Sequence, residues 1–151
     1  EAAATIAKVL DAGKSVAFLT LGDPAIYSTC MYVHEKLQAM GYETQMVSGV
    51  PSFCAVAAAL NVPLCEGGEM LHIIPASYTA MESAAACSGT KVFMKAAKQI
   101  VQVKELLKAQ EGRAMAVECC GMEQEKIHAT LESMDETASY FSVLVWKEGK
   151  A

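Results

Sequence analysis

The sequence predicts an α/β fold with two domains, and three of its features support this prediction. Short apolar runs alternate with amphipathic helical segments along the 151 residues. Hydrophobic residues make up 53% of the chain, which is enough to fill a buried core. Pro63, Gly67 and Gly68 interrupt the pattern near its middle. We therefore assign residues 1–64 to a first, parallel α/β domain and residues 65–151 to a second α/β domain.

The first domain is expected to be an incomplete parallel sheet. Its predicted helices cover residues 1–14, 28–40 and 50–60, and its predicted strands cover 16–21 (VAFLTL) and 43–47. The strand–helix–strand order implies a right-handed parallel unit. A run as apolar as VAFLTL is typical of a strand buried on both faces, and two strands alone cannot make such a sheet. We therefore expect a missing N-terminal segment, and a small domain with a free sheet edge is the alternative.

The second domain is expected to be complete and to contain a mixed sheet. Its predicted strands cover residues 71–75, 91–94, 113–119 and 140–146. Helices are predicted between them at residues 79–87 and 99–109. The pattern of residues 126–134 fits either a strand or a helix. Alternation of strands and helices again indicates an α/β architecture.

Charge, hydropathy and cysteine spacing argue against several classes of partner. A net charge of −5 without a long basic stripe does not favour a nucleic-acid-binding surface. No apolar run approaches the roughly 18 residues that a membrane span needs, so we expect no membrane partner. The six cysteines and three histidines show neither a CxxC pair nor zinc-ligand spacing, and we predict no metal site. Many thiols fit a reducing cytoplasm.

The first candidate ligand-binding turn is LTLGDPAIYST, at residues 19–29. In an open parallel sheet, ligands bind beyond the carboxyl ends of the strands, where glycine lets the backbone approach them closely. Gly22 directly follows a predicted strand. Asp23 could cap the next helix or accept a hydrogen bond from an ammonium group or a ribose hydroxyl. An ordinary strand-to-helix turn with an aspartate cap explains the same residues.

Three more loops follow predicted strands and leave similar alternatives open. SGVPSFCAVAAA has small side chains that would allow close packing against another helix or against a flat ligand such as adenine. KVFMKAA places Met94 at a strand end, where it belongs either to the core or to the wall of a pocket between the domains. VECCGMEQE carries vicinal cysteines, which are more simply explained as inert thiols beside a glycine turn than as a redox or metal pair.

Taken together, these loops resemble those of the tetrapyrrole methylase family in their order and spacing. The matching segments are GDPAIYST, SGVPSFCAVAAALNVPL, VFMKA and VECCGMEQEKI. The first two are similar in particular to segments of the methyltransferases that act on carbon 20 of precorrin-2 or cobalt-factor II. The resemblance covers essentially the whole chain, but the family's N-terminal strand and glycine-rich GxGPG loop have no counterpart in it.

The resemblance implies a two-domain enzyme that holds S-adenosylmethionine in the cleft between its domains, usually as a homodimer. Leu21 departs from the first glycine of the family's Gly-Gly-Asp cofactor loop, and Ser48 replaces a common proline. The residues that the resemblance assigns to the cofactor lie on all four loops: Leu21, Gly22, Asp23, Ile26, Pro51, Ser52, Met94, Cys120 and Gly121.

The implied reaction is methyl transfer to a tetrapyrrole in cobalamin synthesis, and it leaves S-adenosylhomocysteine as product. Such a transfer requires mainly that the two reactants are positioned, so we assign no catalytic residue. The carboxylates of the substrate need a positive patch, for which the missing N-terminal segment and, more weakly, Lys95 are candidates. Two alternatives stay open: a ribosomal RNA ribose methyltransferase of the same fold, and a non-catalytic α/β interaction domain.

Overall fold

The computed structural model describes residues 1–77 and 81–149 of the chain. The helices within this part are α1 (Ala2–Asp11), α2 (Cys30–Ala39), α3 (Ser52–Leu60), α4 (Met81–Ala85) and α5 (Ile100–Lys108). The strands are β1 (Leu71–Pro75), β2 (Thr90–Met94), β3 (Gly112–Glu118), β4 (Lys126–His128) and β5 (Ser142–Glu148). The fold is therefore α/β, as predicted. The helix predicted at residues 79–87 begins outside the described residues.

The chain divides into two compact units, Glu1–Pro51 and Ser52–Ala151. Helix α3 belongs to the second unit, because it packs on β3 and β5. The domain boundary predicted after residue 64 stays a prediction, and each unit is described by itself below.

The second unit is built on a five-stranded mixed sheet in the order β1-β2-β5-β3-β4. β1 and β2 are parallel, whereas β5 runs antiparallel to both β2 and β3, and β4 runs antiparallel to β3. The predicted mixed sheet is thus confirmed. Residues 126–134 begin as the short strand β4, and the chain then turns so that Leu131 and Met134 reach the core.

Alternation along the strands explains how both faces of this sheet are covered. Phe93 and Leu144 are fully buried in the core cluster that includes Ile100 and Val103 of α5. Burial of each such side chain stabilises the fold by about 1.5–3 kcal/mol. Val92 and Val145 alternate with these residues and therefore point to the other face. Helix α3 contacts the sheet there through β3 and β5.

Trp146 on β5 is enclosed by the side chain of a buried lysine and by a glycine. The Lys91 Nζ atom lies 3.7 Å from the centroid of the Trp146 ring, a cation–π geometry. Lys91 is 1% exposed, and this burial lowers the pKa of its ammonium group. A Cβ atom on Gly112 would lie 2.4 Å from Cζ2 of the indole, so that position has no room for a side chain.

The first unit contains α1 and α2 but neither of its two predicted strands, and that part of the prediction was wrong. Residues 16–21 and 43–47 form no β-ladder with any described segment. No backbone–backbone hydrogen bond of the described chain involves residues 15–21. Phe18 is 54% exposed and Leu19 is 88% exposed. An apolar run has only a tendency to form a strand, because the strand itself exists through hydrogen bonds to a neighbour.

Candidate functional site

Asp23 links the two loops of the first unit through three hydrogen bonds. Its Oδ1 atom accepts from the Ala25 amide at 2.8 Å. Its Oδ2 atom accepts from the Ser48 hydroxyl at 2.7 Å and from the Gly49 amide at 2.9 Å. The Ser48 hydroxyl, followed by the Ala25 and Gly49 amides, lowers the pKa of the Asp23 carboxyl below its ordinary value. Asp23 is therefore ionised near neutral pH, and it holds the chain segments after residues 16–21 and 43–47 together.

Gly22 and Gly49 bring the backbones of the same two loops into contact. A Cβ atom on Gly49 would lie 2.2 Å from the Gly22 carbonyl oxygen, so any side chain at position 49 would push the loops apart. Gly22 itself has φ 79°, a left-handed conformation that favours glycine. The sequence suggested that glycine lets a ligand approach the backbone closely. At Gly49, the carbonyl of Gly22 makes this close approach instead.

The remaining predicted site residues of the first unit lie around this contact. The Ile26 amide donates to the Asp23 carbonyl at 3.2 Å and closes the turn. Leu21 is 73% exposed. Pro51 is half-buried and follows Gly49 by two residues. The structure therefore brings Leu21, Gly22, Asp23 and Ile26 together on one turn and connects that turn to residues 48–51.

Met94 and the Cys119–Gly121 turn lie at one edge of the sheet in the second unit. β2 and β3 run in the same direction because each is antiparallel to β5. Val143 on β5 pairs with Met94 on one side and with Val117 on the other, so the two strands end level with each other. Two strand spacings, about 10 Å, separate them. The structure thus places the predicted residues Met94, Cys120 and Gly121 at a common edge.

The backbone after each of these two strands is unusual. Lys95 has φ 56° and Cys119 has φ 50°, which are left-handed conformations for residues with side chains. Such conformations concentrate at ligand sites because surrounding structure must hold them in place. Burial, followed by the nearby Glu125, raises the pKa of the Cys120 thiol. A thiol kept protonated in this way supports the interpretation of the vicinal cysteines as unreactive.

A buried Glu118–His128 pair, which sequence analysis did not select, stands directly before this turn. Glu118 Oε1 lies 2.9 Å from His128 Nε2, and Glu118 Oε2 accepts from the Ser139 amide at 2.7 Å. The His128 Nδ1 atom lies 2.9 Å from the Ser133 carbonyl oxygen. Glu118 is 6% exposed and His128 is 8% exposed. The available signal was a glutamate that directly follows the apolar residues 114–117 of β3.

Ser52 opens α3 in the second unit and is half-buried. Within residues 1–77 and 81–149, no group of three or more His, Cys, Asp or Glu side chains could hold a metal ion. The helices in this part of the chain are all too short or too polar to cross a membrane. Contact of the nine predicted residues with one ligand stays a prediction.

An α/β chain with a mixed sheet, and with Met94 and a glycine turn at the ends of two of its strands, defines a fold class rather than an activity. Residues 1–135 match the family model described as Tetrapyrrole (Corrin/Porphyrin) Methylases. The chain belongs to this family, and the predicted resemblance is confirmed.

Two curated relatives carry closely similar names. A precorrin-2 C(20)-methyltransferase from a Sinorhizobium species is 29% identical over 154 residues, which cover 97% of this chain and 62% of the relative. A probable cobalt-precorrin-2 C(20)-methyltransferase from Methanocaldococcus jannaschii is 50% identical over 68 residues, which cover 45% of this chain and 30% of the relative. The chain therefore spans less than two thirds of the length of these relatives.

Solved structures of the family share the fold. A cobalt precorrin-4 methyltransferase has a TM-score of 0.84 at 19% identity, covering 97% of this chain and 70% of that chain. A uroporphyrin-III C-methyl transferase from Thermus thermophilus, complexed with S-adenosyl homocysteine, has a TM-score of 0.65 at 20% identity, covering 84% of this chain and 63% of that chain. At these identities the likeness shows the fold alone.

Proposed function

We propose that this chain is part of a methyltransferase that uses S-adenosylmethionine to methylate carbon 20 of precorrin-2 or of its cobalt complex in cobalamin biosynthesis. The observation that carries the proposal is that both curated relatives described above are named as C(20)-methyltransferases of these substrates. The ribosomal RNA alternative is less favoured, because neither relative carries such a name and the chain has a net charge of −5.

The residues at the strand ends fit a nucleoside cofactor. Gly121 has φ 75°, and no described atom beyond its chain neighbours lies within 4 Å of the position that its Cβ would occupy, which leaves space for a ligand beside its Cα atom. Met94 is half-buried and offers a polarisable apolar surface at the same edge. In the first unit, Leu21 and Gly22 are exposed, whereas Asp23 is occupied mainly in holding the loops together.

Bound S-adenosylmethionine would supply a methyl group already activated on a sulfonium. The task left to the protein is to align the two reactants and to exclude water, which needs neither an acid–base pair nor a metal. We assign Gly22, Met94 and Gly121 to cofactor contact, and Asp23 with Ser48 to the positioning of the first turn. A homodimer and a cytoplasmic location complete the proposal and are supported by the family resemblance.

A chimera tests the activity, because the chain spans only part of its relatives' length. This chain replaces the matching segment of the Sinorhizobium enzyme, and methylation of precorrin-2 and of its cobalt complex is followed by mass spectrometry, with NMR to locate the methyl group. We expect methylation at carbon 20. A folded chimera that binds S-adenosylhomocysteine but leaves both substrates unchanged would contradict the proposed substrate.

The chain alone is expected to bind S-adenosylhomocysteine weakly and to be inactive. A site that combines several loops loses affinity steeply when one is absent, because the remaining contacts must still offset an association entropy of roughly 4–15 kcal/mol. Calorimetry of the chain beside the chimera measures this difference. Equal affinity in the two proteins would show that the site lies entirely within these 151 residues.

Gly22→Val in the chimera tests the first turn, and Gly13→Val is its matched control. Both glycines have positive φ, 79° and 74°, so both substitutions strain the backbone of the first unit. Only Gly22→Val places a branched side chain on the proposed cofactor turn. We expect calorimetry to show weaker S-adenosylhomocysteine binding for Gly22→Val than for Gly13→Val. Equal affinity in two folded variants would remove this turn from the site.

A further inference from the structure

We propose that Glu118, acting through His128 and Ser139, is a positioning residue for the Cys119–Gly121 turn, whose part in cofactor binding rests on the function proposed above. Glu118 is the last residue of β3, and the turn begins at the next residue. Its carboxylate is the group through which two other segments are connected to the start of the turn.

A closed set of hydrogen bonds joins the carboxylate to the turn. Glu118 Oε2 accepts from the Ser139 amide at 2.7 Å. Two residues further on, the Phe141 carbonyl accepts from the Cys119 amide at 2.9 Å. The Ser139 hydroxyl and the Cys119 thiol are also 3.4 Å apart. Displacement of the Glu118 carboxylate would therefore release the segment that holds Cys119 in its left-handed conformation.

The pair also requires a proton in a defined place. A carbonyl oxygen only accepts, so the contact of His128 Nδ1 with the Ser133 carbonyl puts a proton on Nδ1. The contact of Nε2 with Glu118 needs a second proton, carried by the ring or by the carboxyl. Burial alone would raise the pKa of the Glu118 carboxyl, but the Ser139 amide, His128 and Lys126 together hold it below its ordinary value. The carboxylate that accepts from the Ser139 amide is therefore the form of Glu118 that also faces Nε2 of His128.

Because a proton joins Glu118 to His128, loss of that proton would disturb the contact that connects Glu118 to the start of the turn. When the ring loses the Nε2 proton, a lone pair faces the carboxylate, and the contact becomes repulsive. The other ionisable groups around the turn include Lys126 on β4, which acts on Glu118, and Glu125, whose carboxylate accepts from the Gly121 amide at 2.6 Å. The thiols of the turn are ionisable as well: Cys119 lies 3.4 Å from the Ser139 hydroxyl, and Cys120 is hydrogen-bonded to Glu125.

NMR on the 151-residue chain tests the coupling directly. The ring signals of His128 and the backbone amides of residues 119–121 are followed as a function of pH. We expect the Cys119 and Gly121 amides to show a titration step with the midpoint that the His128 ring itself shows. A residue with a merely structural role would not produce a shared midpoint.

Glu118→Gln removes the charge and keeps the shape. A glutamine can accept from the Ser139 amide and donate to Nε2 of a neutral ring, so we expect the shared step to be lost while the fold is kept. Glu123→Gln is the matched control, because Glu123 is exposed and makes no hydrogen bond or ion pair with the described residues; it should retain the step. Glu118→Ala should in addition speed exchange of the Ser139 amide by about tenfold or more.

Two results would overturn the proposal: wild-type amides of residues 119–121 that do not follow His128, or a shared step that survives in Glu118→Gln. If Glu118→Gln does not fold, His128→Gln replaces it, since that variant keeps a hydrogen-bond partner for Glu118 but has no ring to titrate. Its amides should lack the step, and persistence of the step would again overturn the proposal. In the chimera, Glu118→Ala separates the two proposals, because it removes the Ser139 contact. If the wild-type turn follows His128 but Glu118→Ala leaves the S-adenosylhomocysteine affinity unchanged, the positioning role stands and the proposed cofactor site is contradicted.

Discussion

Gly49→Ala should destabilise the first unit, although alanine is normally the better residue outside left-handed conformations. The new Cβ would lie 2.2 Å from the Gly22 carbonyl oxygen and 3.2 Å from its carbon. Both atoms are backbone, so neither can rotate away, and the loops must separate by roughly 1 Å to reach an ordinary contact distance. Overpacking of this kind costs about 1–3 kcal/mol. The lower entropy of the unfolded alanine chain returns about 0.4–1 kcal/mol.

Amide hydrogen exchange of α1 and α2 measures the effect, because these helices report on the first unit. A net loss of about 1–2 kcal/mol corresponds to exchange that is roughly 5–30 times faster. Gly68→Ala is a control for the glycine-to-alanine change without a close contact, since an added Cβ there meets nothing within 4 Å and the backbone is not left-handed. Gly68 lies in the second unit, so this variant should leave exchange of α1 and α2 unchanged. Exchange at the wild-type rate in Gly49→Ala would refute the backbone contact between Gly22 and Gly49.

Three further predictions concern charge and exposure. The pKa of Asp23 is lowered from 3.8 in the folded chain. Its contribution to stability is therefore complete above pH 3.8 and is lost as the pH falls through the folded pKa. Acid unfolding of Asp23→Asn, followed by circular dichroism, should lack this pH dependence of stability. The pKa of Lys91 is lowered from 10.5 in the folded chain, so the wild-type free energy of unfolding should rise as the pH approaches 10.5 from below. Urea titrations of Lys91→Met should not show that rise. The unpaired segment around Leu19 should cause self-association by strand pairing, and Leu19→Lys should shift the sedimentation profile toward monomer.

The second unit could be predicted from the sequence largely because its predicted strands find their pairing partners within the same unit. The apolar runs at residues 71–75 and 91–94 lie side by side as β1 and β2, so local pattern and tertiary pairing agree. Residues 16–21 carry an equally apolar pattern but have no partner strand in the described chain. Periodicity reports which faces a segment would bury, and it does not report whether a neighbour is present to complete the ladder.

Polar contacts within the candidate site were the least predictable part. Ser48 is separated from Asp23 by 25 residues, and Ser139 is separated from Glu118 by 21. Such pairs leave no periodic signal, because each depends on where the fold brings two single side chains. The positions of Met94 and Cys120 after two strands were easier to predict, since strands that run in the same direction end at the same edge of a sheet.

The enclosure of Trp146 has a practical consequence for spectroscopy. It is the one tryptophan of the sequence, and it belongs to the second compact unit. Intrinsic fluorescence on excitation of the indole should therefore follow unfolding of the second unit and be insensitive to events confined to residues 1–51. Three of the five tyrosines, Tyr27, Tyr32 and Tyr42, lie in the first unit, so tyrosine absorbance in the near ultraviolet adds a signal weighted toward that unit. A denaturation experiment that records both indole fluorescence and tyrosine absorbance can thus distinguish one cooperative transition from two, without any label or added chromophore.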